Sequence, residues 1–159
     1  MAKFVNAIPE GLHSLTPHIV VKDAPKMIDF YKRAFGATEK SRMTMPNGRI
    51  GHAELRIGDS SVFLSDEFPM SPSRAPASIG GTSMVLQLYV QDADAVFRQA
   101  VQAGATVQSP MADMFWGDRY GAVSDPAGHV WSIATRRENL TPEEMKKREQ
   151  EWLASMPQA

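Results

Sequence analysis

The chain has 159 residues, a formal net charge of -1 and no cysteine. That length suits one domain, or two half-domains sharing a core, and needs no covalent staple. The missing thiols exclude disulfides, thiolate metal sites and a cysteine nucleophile, and they agree with a reducing, cytoplasmic location.

No basic block supports nucleic-acid binding, and no apolar run approaches the ~20 residues of a membrane helix. Met1 to Asn6 lacks the long apolar centre of a signal peptide. Residues 1–13 read as an irregular arm. Leu15 to Lys22 predicts a first strand. Asp23 is a good N-cap and Pro25 suits a first helical turn. Met27, Ile28, Phe30, Tyr31, Ala34 and Phe35 then recur at the spacing of one buried helix face. Gly36 stops that helix. Thr38 to Met45 and Arg49 to Ile57 predict strands joined at Asn47-Gly48, a strong hairpin turn. Gly58-Asp59 turns the chain again into Ser61 to Asp66.

Residues 67–82 carry Pro69, Pro72, Pro76, Gly80 and Gly81, which argue against regular structure, and read as a linker. The pattern then restarts. Ser83 to Val90 predicts a strand, and Asp92 or Asp94 caps a helix with Val96, Phe97, Ala100 and Val101 on one face. After Gly104 come strands at Ala105 to Ser109, Tyr120 to Ser124 and His129 to Thr135, with a loop from Gln108 to Met114. Asp125-Pro126-Ala127-Gly128 is a tight turn into the last of these.

The two halves also match locally. Gly36-Ala37-Thr38 answers Gly104-Ala105-Thr106, and Val62-Phe63-Leu64 answers Val130-Trp131-Ser132, in the same order and at the same offset. The expected class is α+β: two βαβββ modules at 14–66 and 83–137, followed by a C-terminal helix within 138–159. Thr141-Pro142-Glu143-Glu144 supplies that helix with a cap, a proline and a capping-box glutamate. Its apolar stripe of Met145, Trp152, Leu153 and Met156 is thin, so two readings stay open: a solvated tail, or a helix docked on the body or on a second subunit.

Val21-Lys22-Asp23-Ala24, Phe30-Tyr31-Lys32, Ala34-Phe35-Gly36-Ala37, Phe115 to Gly121 and Asp125-Pro126 together resemble the vicinal oxygen chelate superfamily. That group includes glyoxalase I, extradiol dioxygenases and bleomycin- and fosfomycin-resistance proteins. Within it, the chain looks most like the PhnB-like branch. The resemblance implies mixed sheets curled round an open cup, and commonly a homodimer. It constrains fold more than reaction, because this fold hosts many chemistries.

Strand alternation assigns the faces. Ala53, Leu55 and Ile57 are expected against the first helix, with His52, Glu54 and Arg56 on the cup side. Thr16, His18 and Val20 belong to the same side, and Val85, Gln87 and Tyr89 are their counterparts in the second module. Phe115, Trp116, Arg119 and Tyr120 form a candidate mouth, where the aromatics would stack a flat ligand and Arg119 would pair with an anion. Rim packing of Arg119 on Trp116 is the alternative. His129 reads either as a histidine held in a turn or as a base.

By resemblance, metal-dependent members place His or Glu at four cup positions. Counting from the helix entries and glycine turns puts Thr16, Leu64, Val85 and Ser132 there. Those side chains do not make a divalent-ion site, so no metal cofactor is expected. A displaced set of His18, His52 and Glu54 is the alternative. The reading that follows is a cytoplasmic homodimer that binds a small organic ligand without the family metal, in a sequestering or resistance-type role. Its rival is a glyoxalase-like lyase, isomerase or dioxygenase with Glu54 or His52 as catalytic base and Arg56 or Arg119 holding an anionic substrate.

Overall fold

A computed structural model of the protein describes residues 5–157. The chain forms two compact units. One comprises the chain up to Ser83 together with Pro126–Gly128; the other comprises Met84–Asp125 and the chain from His129 onward.

In the first unit, β1 (His18–Val21) leads into α1 (Ala24–Phe35). The Asp23 side chain accepts from the Lys26 amide, and Gly36, at φ 64°, closes the helix with its N–H on the Tyr31 carbonyl. The periodic stripe is buried as its spacing requires: Met27, Ile28, Phe30, Tyr31, Ala34 and Phe35 all lie in the core. β2 (Thr38–Thr44), β3 (Ile50–Ile57) and β4 (Ser60–Asp66) follow, and the sheet order is β1-β4-β3-β2. β1 and β4 run parallel and the other pairs antiparallel, giving a mixed sheet. Ile19, Val21, Ala53, Leu55 and Leu64 are fully buried on the side that α1 covers.

One carboxylate joins these elements. Asp66 is 3% exposed. Its Oδ1 accepts the Ala24 amide at the start of α1 (2.9 Å), and its Oδ2 accepts the Ile50 amide at the start of β3 (2.7 Å). Both donors would otherwise be buried without partners.

In the last stretch of the first unit, the structure corrects the expectation that 67–82 holds no regular structure. A single turn of helix, α2 (Pro76–Ile79), starts at the proline and stops at Gly80 in the left-handed region. Proline at the first helical position loses no needed hydrogen bond, so it opens a turn as readily as it breaks one.

The second unit repeats the plan with β5 (Val85–Tyr89), α3 (Ala93–Ala103), β6 (Thr106–Asp113), β7 (Asp118–Ser124) and β8 (Val130–Arg136), in the order β5-β8-β7-β6. Asp92 is the cap of α3, its side chain accepting from the Ala95 amide. The role of Asp66 passes to Thr135, whose hydroxyl oxygen accepts the Ala93 amide and whose O–H donates to the Val90 carbonyl, both at 2.8 Å. At the other end of β8, Asp125 is buried and accepts both the His129 amide and the Trp131 indole N–H.

β6 runs on to Asp113, through residues expected as a loop. Pro110 is tolerated because β6 is the edge of the sheet and its register with β7 shifts on either side of Ser109. α4 (Pro142–Ser155) begins with a capping box between Thr141 and Glu144. It buries no residue fully, yet Trp152 lies 5.1 Å, ring to ring, from Phe115, and Arg148 pairs with Glu138 at 2.7 Å. Of the two readings of this helix, contact with the second unit is the one observed.

Replacing Asp66 by Ala leaves two buried amides without acceptors, and the expected loss of stability is about 3 kcal/mol. Asp66→Asn keeps one acceptor oxygen and should cost clearly less. Urea unfolding of the two variants against the parent chain measures both. Equal midpoints for Asp66→Ala and the parent would remove Asp66 from this role.

Candidate functional site

The face of the first sheet turned away from α1 carries the side chains that alternate with the core. The register sets Glu54 opposite Phe63 and Arg56 opposite Ser61 across β3 and β4, and His18 beside Phe63 across β1 and β4. The structure thus brings His18, His52, Glu54 and Arg56 onto one face.

Two clusters form there. In one, His18 and His52 meet edge to face at 6.0 Å, and His52 meets Phe63 at 4.8 Å between ring centroids. The His18 Nε2 lies 3.1 Å from the Ser65 hydroxyl. Burial, followed by the neighbouring His52, holds the His18 imidazole below its ordinary pKa, so it is largely neutral at pH 7. In the other cluster, the Ser61 hydroxyl donates to Glu54 at 3.2 Å. Arg56 donates to the Gly11 carbonyl at 2.8 Å and reaches the Ser61 hydroxyl at 3.5 Å. Among the described residues, the His52 side chain makes ring contacts but no hydrogen bond.

The second unit presents its own set. Gln87 pairs with Ser132 across β5 and β8, and the Ser132 hydroxyl donates to the Gln87 side-chain oxygen. Asp118, 4% exposed, gathers the aromatics. Its Oδ2 accepts the Tyr89 hydroxyl at 2.6 Å and the Trp116 indole N–H at 3.0 Å. The bond to Asp118 pushes the Tyr89 phenol above its ordinary pKa. Trp116 also meets Tyr120 at 5.8 Å and Phe115 at 5.0 Å, both edge to face.

Arg119 stands apart from these aromatics. It bonds both oxygens of Asp94 on α3, at 3.0 Å from Nε and 2.9 Å from Nη2, and its Nη1 reaches Asp113 at 3.5 Å. The Arg119 guanidinium holds the Asp94 carboxyl below the usual range. Its partners are these carboxylates and not the Trp116 ring. His129 is buried in the turn, with its amide on Asp125.

The register revises one of the four metal positions. Leu64 is opposite Ala53 and fully buried on the helix side, so it does not share a face with His18. In the second unit, the residue two places after Val85 pairs with Ser132; in the first, the residue two places after Thr16 pairs with Phe63. The corrected set is Thr16, Phe63, Val85 and Ser132. A ring, an isopropyl group and two hydroxyls do not fit a divalent ion that binds imidazole and carboxylate. Nor do His18, His52 and Glu54 gather round a point: no three His, Cys, Asp or Glu side chains among the described residues are placed to hold a metal ion.

Phe63, Ser65 and Asp118 are the site residues that the sequence reading missed. Val62-Phe63-Leu64 reads as a buried run, but strict alternation from Ala53 through the Gly58-Asp59 hairpin would have turned Phe63 outward. Asp118 could have been found as an acid set between Trp116 and Tyr120 in a hairpin.

The family model for the glyoxalase/bleomycin resistance protein/dioxygenase superfamily matches residues 11–133. The uncharacterized protein Rv0887c of Mycobacterium tuberculosis is 48% identical over 123 residues, covering 76% of this chain and 72% of that one. Among solved structures, TioX from Micromonospora is 27% identical with a TM-score of 0.61, over 81% of this chain and all of the other. The Arabidopsis thaliana At5g48480 product is 28% identical with a TM-score of 0.63, over 77% of this chain and 98% of its own. Two mixed sheets of the same strand order, each with one helix laid across it, and the match along most of the sequence lead to one conclusion: this chain belongs to the glyoxalase/bleomycin resistance protein/dioxygenase superfamily.

Proposed function

We propose that the protein binds a small, flat organic molecule against the open sheet face of its first unit, without the metal used elsewhere in the superfamily. The observation that carries this reading is the His18–His52–Phe63 cluster, with the Ser65 hydroxyl beside it. Three rings with a hydroxyl at their edge offer stacking and one or two directed hydrogen bonds, which is how small-molecule sites gain orientation. A lowered His18 pKa keeps that imidazole neutral and able to accept or donate. The role is sequestration of the ligand or resistance to it. Within the second unit, Gln87, Tyr89, Trp116 and Tyr120 form a polar and aromatic face of their own, proposed as a separate ligand surface; Phe115, covered in part by Trp152, supports Trp116.

The hairpin Phe115 to Gly121 supports placement in the PhnB-like branch. A cytoplasmic homodimer remains part of the proposal. The absence of cysteine supports the location, and exposed Met84, Val85 and Tyr89 on and beside the edge strand β5 support the pairing.

A second reading is favoured by one observation: the His52 ring nitrogens have no hydrogen-bond partner among the described residues. An imidazole whose ring nitrogens are unengaged is a candidate general base. In this reading, His52 or Glu54 takes a proton from a bound substrate, as in a glyoxalase-like isomerase, lyase or dioxygenase, and Arg56 holds its anionic group.

Binding of a panel of small aromatic compounds, followed by NMR, should perturb His18, His52 and Phe63 first. Phe63→Ala should weaken the best binder about tenfold, and a chelator should leave its affinity unchanged. A stoichiometric metal held by these residues would overturn the metal-free reading. Turnover of a hemithioacetal or catechol, lost in His52→Gln or Glu54→Gln, would instead establish the enzyme.

The His18 shift has its own test. Removing the neighbouring charge with His52→Gln should raise the His18 pKa toward 6.5 without fully restoring it, because burial is the larger cause. The sign for stability follows. The unfolded chain takes up this proton more readily than the folded one, so stability falls as pH drops from about 6.5 toward the depressed value and is flat below it. His18→Gln should flatten that window in a pH series of thermal unfolding.

A further inference from the structure

The first unit holds a depression where β1 and β4 end and β3 begins. It is open to solvent, has a volume of about 570 Å³ and is lined by Lys22, Arg49, Glu67, Pro69 and Arg74. Lys22 directly follows β1, Arg49 directly precedes β3 and Glu67 directly follows β4, so the strand ends fix three of the five residues. Arg74 comes from the segment before α2.

The cations here are positioned without being neutralised. Arg49 lies over the Phe68 ring, 4.6 Å from its centroid, and one of its N–H groups donates to the Glu67 backbone carbonyl. Arg74 donates to the Phe68 carbonyl at 3.1 Å. A carbonyl orients a guanidinium but does not cancel its charge, and most of the N–H donors remain available. The ion pairs among the described residues all lie elsewhere and include none of Lys22, Arg49 and Arg74.

The one carboxylate in the lining is already engaged. Glu67 accepts the Ala75 amide at 2.7 Å and the Ser78 hydroxyl, and these bonds, more than Arg74 and Lys22, hold its pKa low. It serves to fasten the segment that carries Arg74. Three cations against one carboxylate leave two positive charges facing a cavity that could admit an organic molecule.

We propose that this cavity is an anion site for a small organic phosphate monoester, separate from the histidine face. A phosphate monoester is a dianion near pH 7 and matches the surplus charge. Its oxygens accept from two guanidinium forks and one ammonium, the donors that suit phosphate. Pro69 supplies an apolar wall for the organic part.

The test uses the full chain with phenyl phosphate, inorganic phosphate and succinate as probes, followed by NMR titration at low and moderate salt. Phenyl phosphate should bind saturably, with the largest shifts at Lys22, Arg49 and Arg74, and should weaken with salt and below about pH 6, where the phosphate loses a charge. Arg74→Gln should weaken it about tenfold; this residue lies outside the sheet, so a folded variant is expected. Arg49→Gln should do the same, and unfolding of that variant alone leaves the Arg74→Gln result to decide. No saturable binding, equal affinity in Arg74→Gln, succinate binding as tightly as phenyl phosphate, or shifts centred on His18 and His52 would each overturn the proposal.

Discussion

The buried carboxylate of Asp66 is the constraint on which the first unit depends. An open mixed sheet must hold a helix across one face while leaving the other free, so the helix cannot be clamped from both sides. Asp66 solves this at the strand ends by accepting the first amide of α1 and the first amide of β3. With those two termini fixed, α1 lays its apolar stripe on Ile19, Val21, Ala53, Leu55 and Leu64. The opposite side chains of the same strands, among them His52, Glu54 and Phe63, then face outward in a set register.

The two units share this plan but differ in strength. At the place of Asp66, the second has Thr135, a neutral side chain that accepts one amide and donates to one carbonyl. A charge-assisted bond is roughly twice as strong as a neutral one. The helices differ in the same direction: α1 buries a full aromatic and aliphatic stripe, whereas α3 buries only Ala93 and Ala100. The second unit makes use of other anchors, including Asp125 beneath Trp131 and the Arg119–Asp94 pair between β7 and α3. Arg119 illustrates how one residue is drawn between roles, since a guanidinium bonded at both carboxylate oxygens holds a helix to a sheet and is a poor candidate for seizing a ligand.

The sheet faces turned away from the helices are rich in hydroxyls and rings, and the hydroxyls are largely buried. Ser61, Ser65, Phe63 and Ser132 stand where other chemistries would need acids and imidazoles, and the two histidines meet edge to face, as does His52 with a phenyl ring. Such a surface recognises shape and a few hydrogen bonds. The basic cavity at the strand ends has the opposite character, with charge in excess and few rings. The first unit therefore offers two chemically distinct surfaces supported by the same strands.

The order of the strands and longer helices, the helix cap at Asp23, the choice of Asp92 or Asp94 as the second cap, the glycine stops and the alternation of β3 were legible in the sequence, because each depends on residues a few positions apart. The family was legible for the same reason, through short local motifs. The sequence misplaced Leu64 because one residue of slip in a strand exchanges its faces, and only pairing with Ala53 fixes that register. It ended β6 at Ser109 because Pro110 argues for a loop, whereas an edge strand with shifted register can absorb it. Arg119 finding Asp94, Asp118 gathering Tyr89 and Trp116, and the strand ends enclosing Lys22, Arg49 and Arg74 are contacts between residues far apart in the chain. Local pattern determined which segments became helix or strand; only the tertiary structure decided which charges were neutralised and which were left facing a cavity, because that depends on distances no spacing in the sequence encodes.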